Sequence, residues 1–152
     1  MRVATTEATW WRHLFVESED AQVVCDREGV IWEVNRKAGL QFGLSRHSCL
    51  FRSGLLPPGV VIQLREALAR EAQQTETIGT IGITCPGGAC LVADLQLTPF
   101  DHKRWLLVIK DASRRWRMET TTQRLLAAID STPDVVILTD AQFCITFVNP
   151  AF

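Results

Sequence analysis

Residues 18–38 (SEDAQVVCDREGVIWEVNRKA) and 132–152 (TPDVVILTDAQFCITFVNPAF) align without a gap, 114 positions apart. Asp20/Asp134, Asp26/Asp140, Ile31/Ile145, Val34/Val148 and Asn35/Asn149 are identical pairs. Internal similarity of this kind means two copies of one structural module. In each copy an apolar run (Ala21 to Val24; Val135 to Leu138) meets an aspartate and a short polar turn, and a second apolar run closes on asparagine. That order predicts a β-hairpin leading into a helix. The second copy stops three residues after its asparagine. The chain is therefore expected to be a fragment that ends just after a second module begins, with open strand edges that seek a partner.

A net charge of −1 argues against a dedicated nucleic-acid binder, which needs clustered Lys and Arg to neutralise phosphates. Arg114, Arg115 and Arg117 read instead as the solvated face of a helix. Residues 1–9 are too polar for a signal peptide, and no apolar run approaches the roughly 18 residues of a membrane span. With 47% hydrophobic and 22% charged residues, and an odd five cysteines without an export signal, the expectation is a cytoplasmic globular protein.

Thr6 is placed to cap a first helix running to Phe15 or Val16, where Trp10/Leu14 and Trp11/Phe15 form an apolar side. Strands are predicted over 21–25 and 30–35, with Val23 and Cys25 on one face and Val30, Trp32 and Val34 together on one face of the next. Asn35 caps a helix over 36–42, broken by Gly43-Leu44-Ser45. An amphipathic helix follows over 60–74 after Pro57-Pro58-Gly59. Strands over 76–84, 89–100 and 103–110 come next, the last apolar on both faces. The stretch 113–130 reads as a long helix with a thin seam of Met118, Leu125, Ala128 and Ile129 able to pair with a second copy. Antiparallel sheet with helices on one face is an α+β domain.

Several elements in this order resemble the PAS domain family. They are Asp26-x-x-Gly29 with Asn35 closing the second strand, Gly43-x-Ser45, Leu55-Leu56-Pro57, three late strands, and Asp111-Ala112-Ser113 with Arg114. The resemblance implies a five-stranded antiparallel sheet of order 2-1-5-4-3 cradling helices. It implies an organisation of N-terminal helix (1–17), PAS domain (18–111), linker helix (112–130) and the start of a second PAS domain (131–152). It also implies a non-catalytic sensory module, homodimeric, which binds a small ligand or cofactor and signals to a downstream histidine kinase or diguanylate cyclase. In that scheme Asp111, Ser113 and Arg114 relay the signal, by shifting the helix between two packings.

Candidate ligand-lining residues are Val23, Cys25, Trp32, Val34, Ala38, Phe42, Leu64, Leu95 and Trp105, with a plain hydrophobic core as the alternative. Candidate dimer contacts are Trp10, Trp11, Leu14, Met118 and Leu125. The cofactor stays open. The adduct-forming cysteine of light-sensing flavin relatives would fall on Gly54, five residues beyond Cys49. Haem lacks an axial histidine on the helix over 60–74, since His13, His47 and His102 lie elsewhere. Noncovalent flavin has no short signature and stays compatible. Cys85 and Cys90 flank a four-residue turn and are expected to face each other, so a thiol-redox sensor is one alternative function. A ligand-free dimerisation domain is the other. Zinc would need a second ligand pair, which the sequence lacks.

Overall fold

The computed structural model describes residues 11–70 and 74–152. The expectations for Thr6 and Trp10 lie outside the described residues. The chain divides into two compact units, Met1–Ser113 and Arg114–Phe152.

In the first unit, helix α1 is described over residues 11–17 and leads to strand β1 (Ala21–Asp26) and strand β2 (Ile31–Val34). Asp26 shapes the turn between them: its Oδ1 accepts from the backbone N–H of Glu28 (3.1 Å) and Val30 (2.9 Å). Gly29 takes φ +77°, a left-handed conformation, and a Cβ there would lie 2.6 Å from ring carbons of Phe51. The two strands pair as Val23–Val34, Val24–Glu33 and Cys25–Ile31, so Trp32 is an extra, bulged residue.

That inserted residue reverses the side-chain phase and corrects one expectation. Val30, Trp32 and Val34 do not turn inwards together. Ile31 is fully buried, Trp32 is 48% exposed, Val34 is half-buried against the core, and Val30 bridges to Cys49. Strict alternation fails wherever one strand carries one residue more than its partner.

Helix α2 (Arg36–Phe42) starts on Asn35, whose side chain accepts from the Ala38 N–H, and ends on Gly43 at φ +65°. A single 3-10 turn (Leu50–Arg52) precedes helix α3 (Pro58–Ala69). Pro58 stands in the first turn of α3, where the missing N–H costs nothing, so the prolines open this helix instead of delaying it to residue 60. Strands β3 (Glu76–Thr84), β4 (Cys90–Pro99) and β5 (Arg104–Asp111) complete an antiparallel sheet of order β2-β1-β5-β4-β3, the order the resemblance implied. The core lies on its inner face, where Val23, Cys25, Leu95, Leu97, Trp105, Leu107 and Ile109 meet Ala38, Phe42, Leu64, Ala67 and Leu68 of α2 and α3. Each such aliphatic side chain contributes about 2 kcal/mol on burial.

Helix α4 (Ser113–Ser131) begins at the end of the first unit and has no buried residue. In the second unit strands β6 (Ile137–Thr139) and β7 (Ile145–Val148) pair as a separate hairpin. It repeats the aspartate-turn bonds of the first hairpin and the asparagine bonds to the strand before it. Asp140 accepts from the N–H of Gln142 and Cys144 (both 2.9 Å), Asn149 ties Val136 and Asp134, and the register slips at the same step.

Candidate functional site

Four groups of residues were expected to carry function, and the fold distributes them to separate places. The inner face of the sheet holds Val23, Cys25, Ala38, Phe42, Leu64, Leu95 and Trp105 in one buried cluster, with Val34 partly buried against it. Trp32 does not join them, because the β2 bulge turns it to the opposite side.

Within this apolar cluster two side chains carry polar hydrogens, and they are cross-strand neighbours: Cys25 on β1 pairs with Trp105 on β5. Burial, with the Asp26 carboxylate and Cys49 as lesser causes, pushes the Cys25 thiol from 9.0 up to about 12, so it stays protonated. Trp105 is 3% exposed, yet among the described residues its Nε1 has no hydrogen-bond partner. An unmade bond at a buried donor costs about 1–3 kcal/mol, and native interiors contain few of them.

The redirected Trp32 lines a cleft of about 880 Å³ between two hairpin ends, together with Asp26, Arg27, Glu28 and residues 101–104. Its indole N–H donates to Asp26 Oδ2 (3.0 Å), and the Arg104 guanidinium lies 5.6 Å from its ring and 5.5 Å from that of Phe100. Phe100 in turn touches Trp11 (4.8 Å), which stacks on Phe15 (5.0 Å). Rings and one cation thus form a continuous series from α1 to β2. Arg104 Nε donates to Asp101 (2.6 Å) and holds that carboxyl below its usual range. Neither this cleft nor the smaller one of about 360 Å³ beside α1 and β2 is lined by the inner-face cluster, apart from the partly buried Val34 in the smaller.

At the sheet's exit to α4, Asp111 Oδ1 accepts from the Ser113 N–H (2.8 Å). The Ser113 hydroxyl accepts from the Val92 N–H (2.9 Å) and donates to the Val92 carbonyl (3.2 Å), which also receives the Ala112 N–H (2.8 Å). The first residue of α4 is therefore bound directly to β4. Arg114 is exposed.

Among the dimer candidates, Leu14, Met118 and Leu125 are 53%, 62% and 60% exposed, and Trp11 is half-buried in the ring stack. Trp116 and Leu126 are exposed on α4 as well and belong with them. A helix with an apolar set too thin for a strong periodic pattern hid both.

Cys85 and Cys90 do not face each other, contrary to expectation. The hairpin closes with Cys85 N–H to the Ala89 carbonyl (2.8 Å), and Cys90 stands opposite Thr84. Gly88 at φ +80° takes up one residue in the turn, which places Cys85 against the core and leaves Cys90 exposed. Cys49 is partly buried, and His13, His47 and His102 are exposed. Among the described residues no cluster of His, Cys, Asp and Glu is arranged to hold a metal.

A family model described as PAS domain matches residues 123–152. No curated protein matches the chain. Solved structures do. A domain of a sensory box sensor histidine kinase/response regulator from Geobacter sulfurreducens is 21% identical, with TM-score 0.59, covering 72% of this chain and 98% of that one. The PAS domain of an HTR-like protein from Haloarcula marismortui is 19% identical, with TM-score 0.56 and coverage of 72% and 97%. The PAS domain of the Cronobacter turicensis quorum-sensing receptor RpfR, in complex with BDSF, is 17% identical, with TM-score 0.51 and coverage of 62% and 95%. The chain has the PAS fold.

Proposed function

We propose that the first unit is a non-catalytic PAS sensory module that dimerises and passes a change in its sheet into α4, and so to an output domain such as a histidine kinase or diguanylate cyclase. The observation that carries this reading is the junction at Ser113: three hydrogen bonds join the start of α4 to Val92 of β4, and Asp111 fixes the intervening turn. A movement of β4 against β5 is thereby a movement of the helix. α4 itself buries nothing, while Trp116, Met118, Leu125 and Leu126 are exposed along it, which supports a second copy as its partner. The occurrence of this fold in sensor kinases and receptors supports the same assignment. Among the described residues no helix is long and apolar enough to cross a membrane, and the five free cysteines suit a reducing cytoplasm. The C-terminal hairpin, with its hydrogen bonds repeated from the first, is on this reading the opening of a second such module.

A second reading, that the interior of the first unit takes a ligand, is favoured by the unpartnered Trp105 N–H. The thiol-redox alternative loses its geometric support, because Cys85 and Cys90 lie on opposite sides of their hairpin.

The test is sedimentation equilibrium of the chain and its Met118→Glu/Leu125→Glu variant. A dimer that becomes monomeric in the variant, with unchanged circular dichroism, supports α4 as the contact. A dimer of undiminished stability overturns it.

A further inference from the structure

We infer that the outer cleft between the β1–β2 and β4–β5 turns binds a small zwitterion with an aromatic body, the class of the aromatic amino acids, which stacks on Trp32 and sets its ammonium against Glu28 and its carboxylate against Lys103. The cleft encloses about 880 Å³ and shares no residue with the core cluster, so the inference stands apart from the reading of the interior. Its volume is of the order that small-molecule sites have.

The lining is not demanded by the fold. The second hairpin makes the same aspartate turn, with Asp140 accepting from the N–H of Gln142 and Cys144, although Ala141, Gln142 and Thr146 stand where the first hairpin has Arg27, Glu28 and Trp32. Trp32 is nevertheless held in place. Its indole N–H donates to Asp26 Oδ2 (3.0 Å), Asp26 is itself anchored through Oδ1 by the N–H of Glu28 and Val30, and the Arg104 guanidinium lies over the ring at 5.6 Å. With these contacts made, the side chain is still 48% exposed. A fixed, half-exposed indole is a platform that has little freedom left to lose when a second ring stacks on it.

The charges around the platform decide the class of ligand. Arg27, Lys103 and Arg104 balance Asp26, Glu28 and Asp101, so the lining as a whole selects neither an anion nor a cation. Most of these groups are engaged already: Asp26 as described, Arg104 with Asp101, and Arg27 over the Trp105 ring at 5.9 Å. Asp101 also accepts from the Lys103 backbone N–H. The carboxylate of Glu28 and the ammonium of Lys103, one on each turn, are exposed and make no hydrogen bond or ion pair among the described residues. One group of each sign beside an aromatic face is complementary to a molecule carrying a ring, an ammonium and a carboxylate. An aromatic amine or an aromatic acid answers only one of the two. Exposed ion pairs contribute modestly, so the ring supplies the larger part of the affinity and the charges supply the choice.

The experiment is a titration of the 15N-labelled chain at pH 7 with L-phenylalanine, 3-phenylpropionate and phenethylamine, following the Trp32 indole N–H signal, assigned by Trp32→Phe. The expected result is a shift of that signal with L-phenylalanine at a Kd of about 1 mM, and about threefold weaker binding of each singly charged analogue. Trp32→Ala is expected to bind L-phenylalanine about tenfold more weakly with unchanged circular dichroism. Two variants at exposed positions read the charges separately: Glu28→Gln is expected to bind L-phenylalanine no better than 3-phenylpropionate, and Lys103→Gln no better than phenethylamine. Either analogue binding the native chain as tightly as L-phenylalanine does would overturn the zwitterion class. A Trp32 signal that no probe moves would overturn the site itself.

Discussion

Asn35 does three things with one amide. Its Oδ1 accepts from the N–H of Gln22 (3.0 Å) and Ala38 (2.9 Å), and its Nδ2 donates to the Asp20 carbonyl (2.9 Å), so it caps α2 and staples the start of β1 in a site only 1% exposed. Asn35→Ala leaves the buried Ala38 N–H and the part-buried Gln22 N–H and Asp20 carbonyl without these partners. The expected loss is about 3 kcal/mol, read from urea unfolding of the chain, and Asn35→Asp should lose less, because it keeps the acceptor. The cap was legible in the sequence, since an asparagine between a β-rich run and a helical one has few other uses. The staple was not: bonds to residues 13 and 15 positions back leave no local mark. Trp105 shows the same limit. Its inward direction follows from alternation along β5, but an unpartnered N–H is a property of everything around it.

Elements whose strands alternate without interruption, β4 and β5, were readable to within a residue or two, and so was α2 between its asparagine and its glycine. Errors gathered at one bulge and one hairpin turn. The bulge at Trp32 sent a ring expected inside to the outer cleft. The glycine turn before Cys90 separated two thiols expected to meet. Both depend on which residue of the partner strand lies opposite, information that one strand's pattern does not contain. The second error has a chemical consequence. In the native chain Cys90 is expected to alkylate rapidly with iodoacetamide, Cys25 only after unfolding, and mild oxidation should produce no bridge between Cys85 and Cys90. Peptide mass spectrometry checks all three, and a bridged peptide in high yield would require a different hairpin register.

At the scale of the whole molecule the repeat read from the sequence is also a repeat of structure, down to the bonds of Asp26 and Asp140 and of Asn35 and Asn149. Yet the two copies stand differently. The first hairpin is completed by three further strands and two helices, while β6 and β7 form a sheet of their own with Ile137, Leu138, Ile145 and Val148 exposed. Most stabilising burial lies in the first unit. Removal of residues 132–152 is therefore expected to leave its melting temperature unchanged within about 2 °C, measured by calorimetry. A fall of about 10 °C would show the hairpin to be integral to the first unit. The strand order was available only through the resemblance, because periodicity identifies strands and says nothing of which lies beside which.

The turn that follows each aspartate exposes how far the copies have drifted apart. Gly29 is doubly committed, by its left-handed φ of +77° and by the Phe51 ring that fills the place of a side chain. Position 143 has the same handedness, φ +60°, but is phenylalanine, 88% exposed. Backbone of that sign is uncomfortable for a bulky residue. One and the same exchange thus has opposite meaning at the two sites: any side chain at 29 evicts an aromatic neighbour, while glycine at 143 would merely relax a tense corner. Mutational tolerance at this turn belongs to its surroundings, and not to the motif that both copies share.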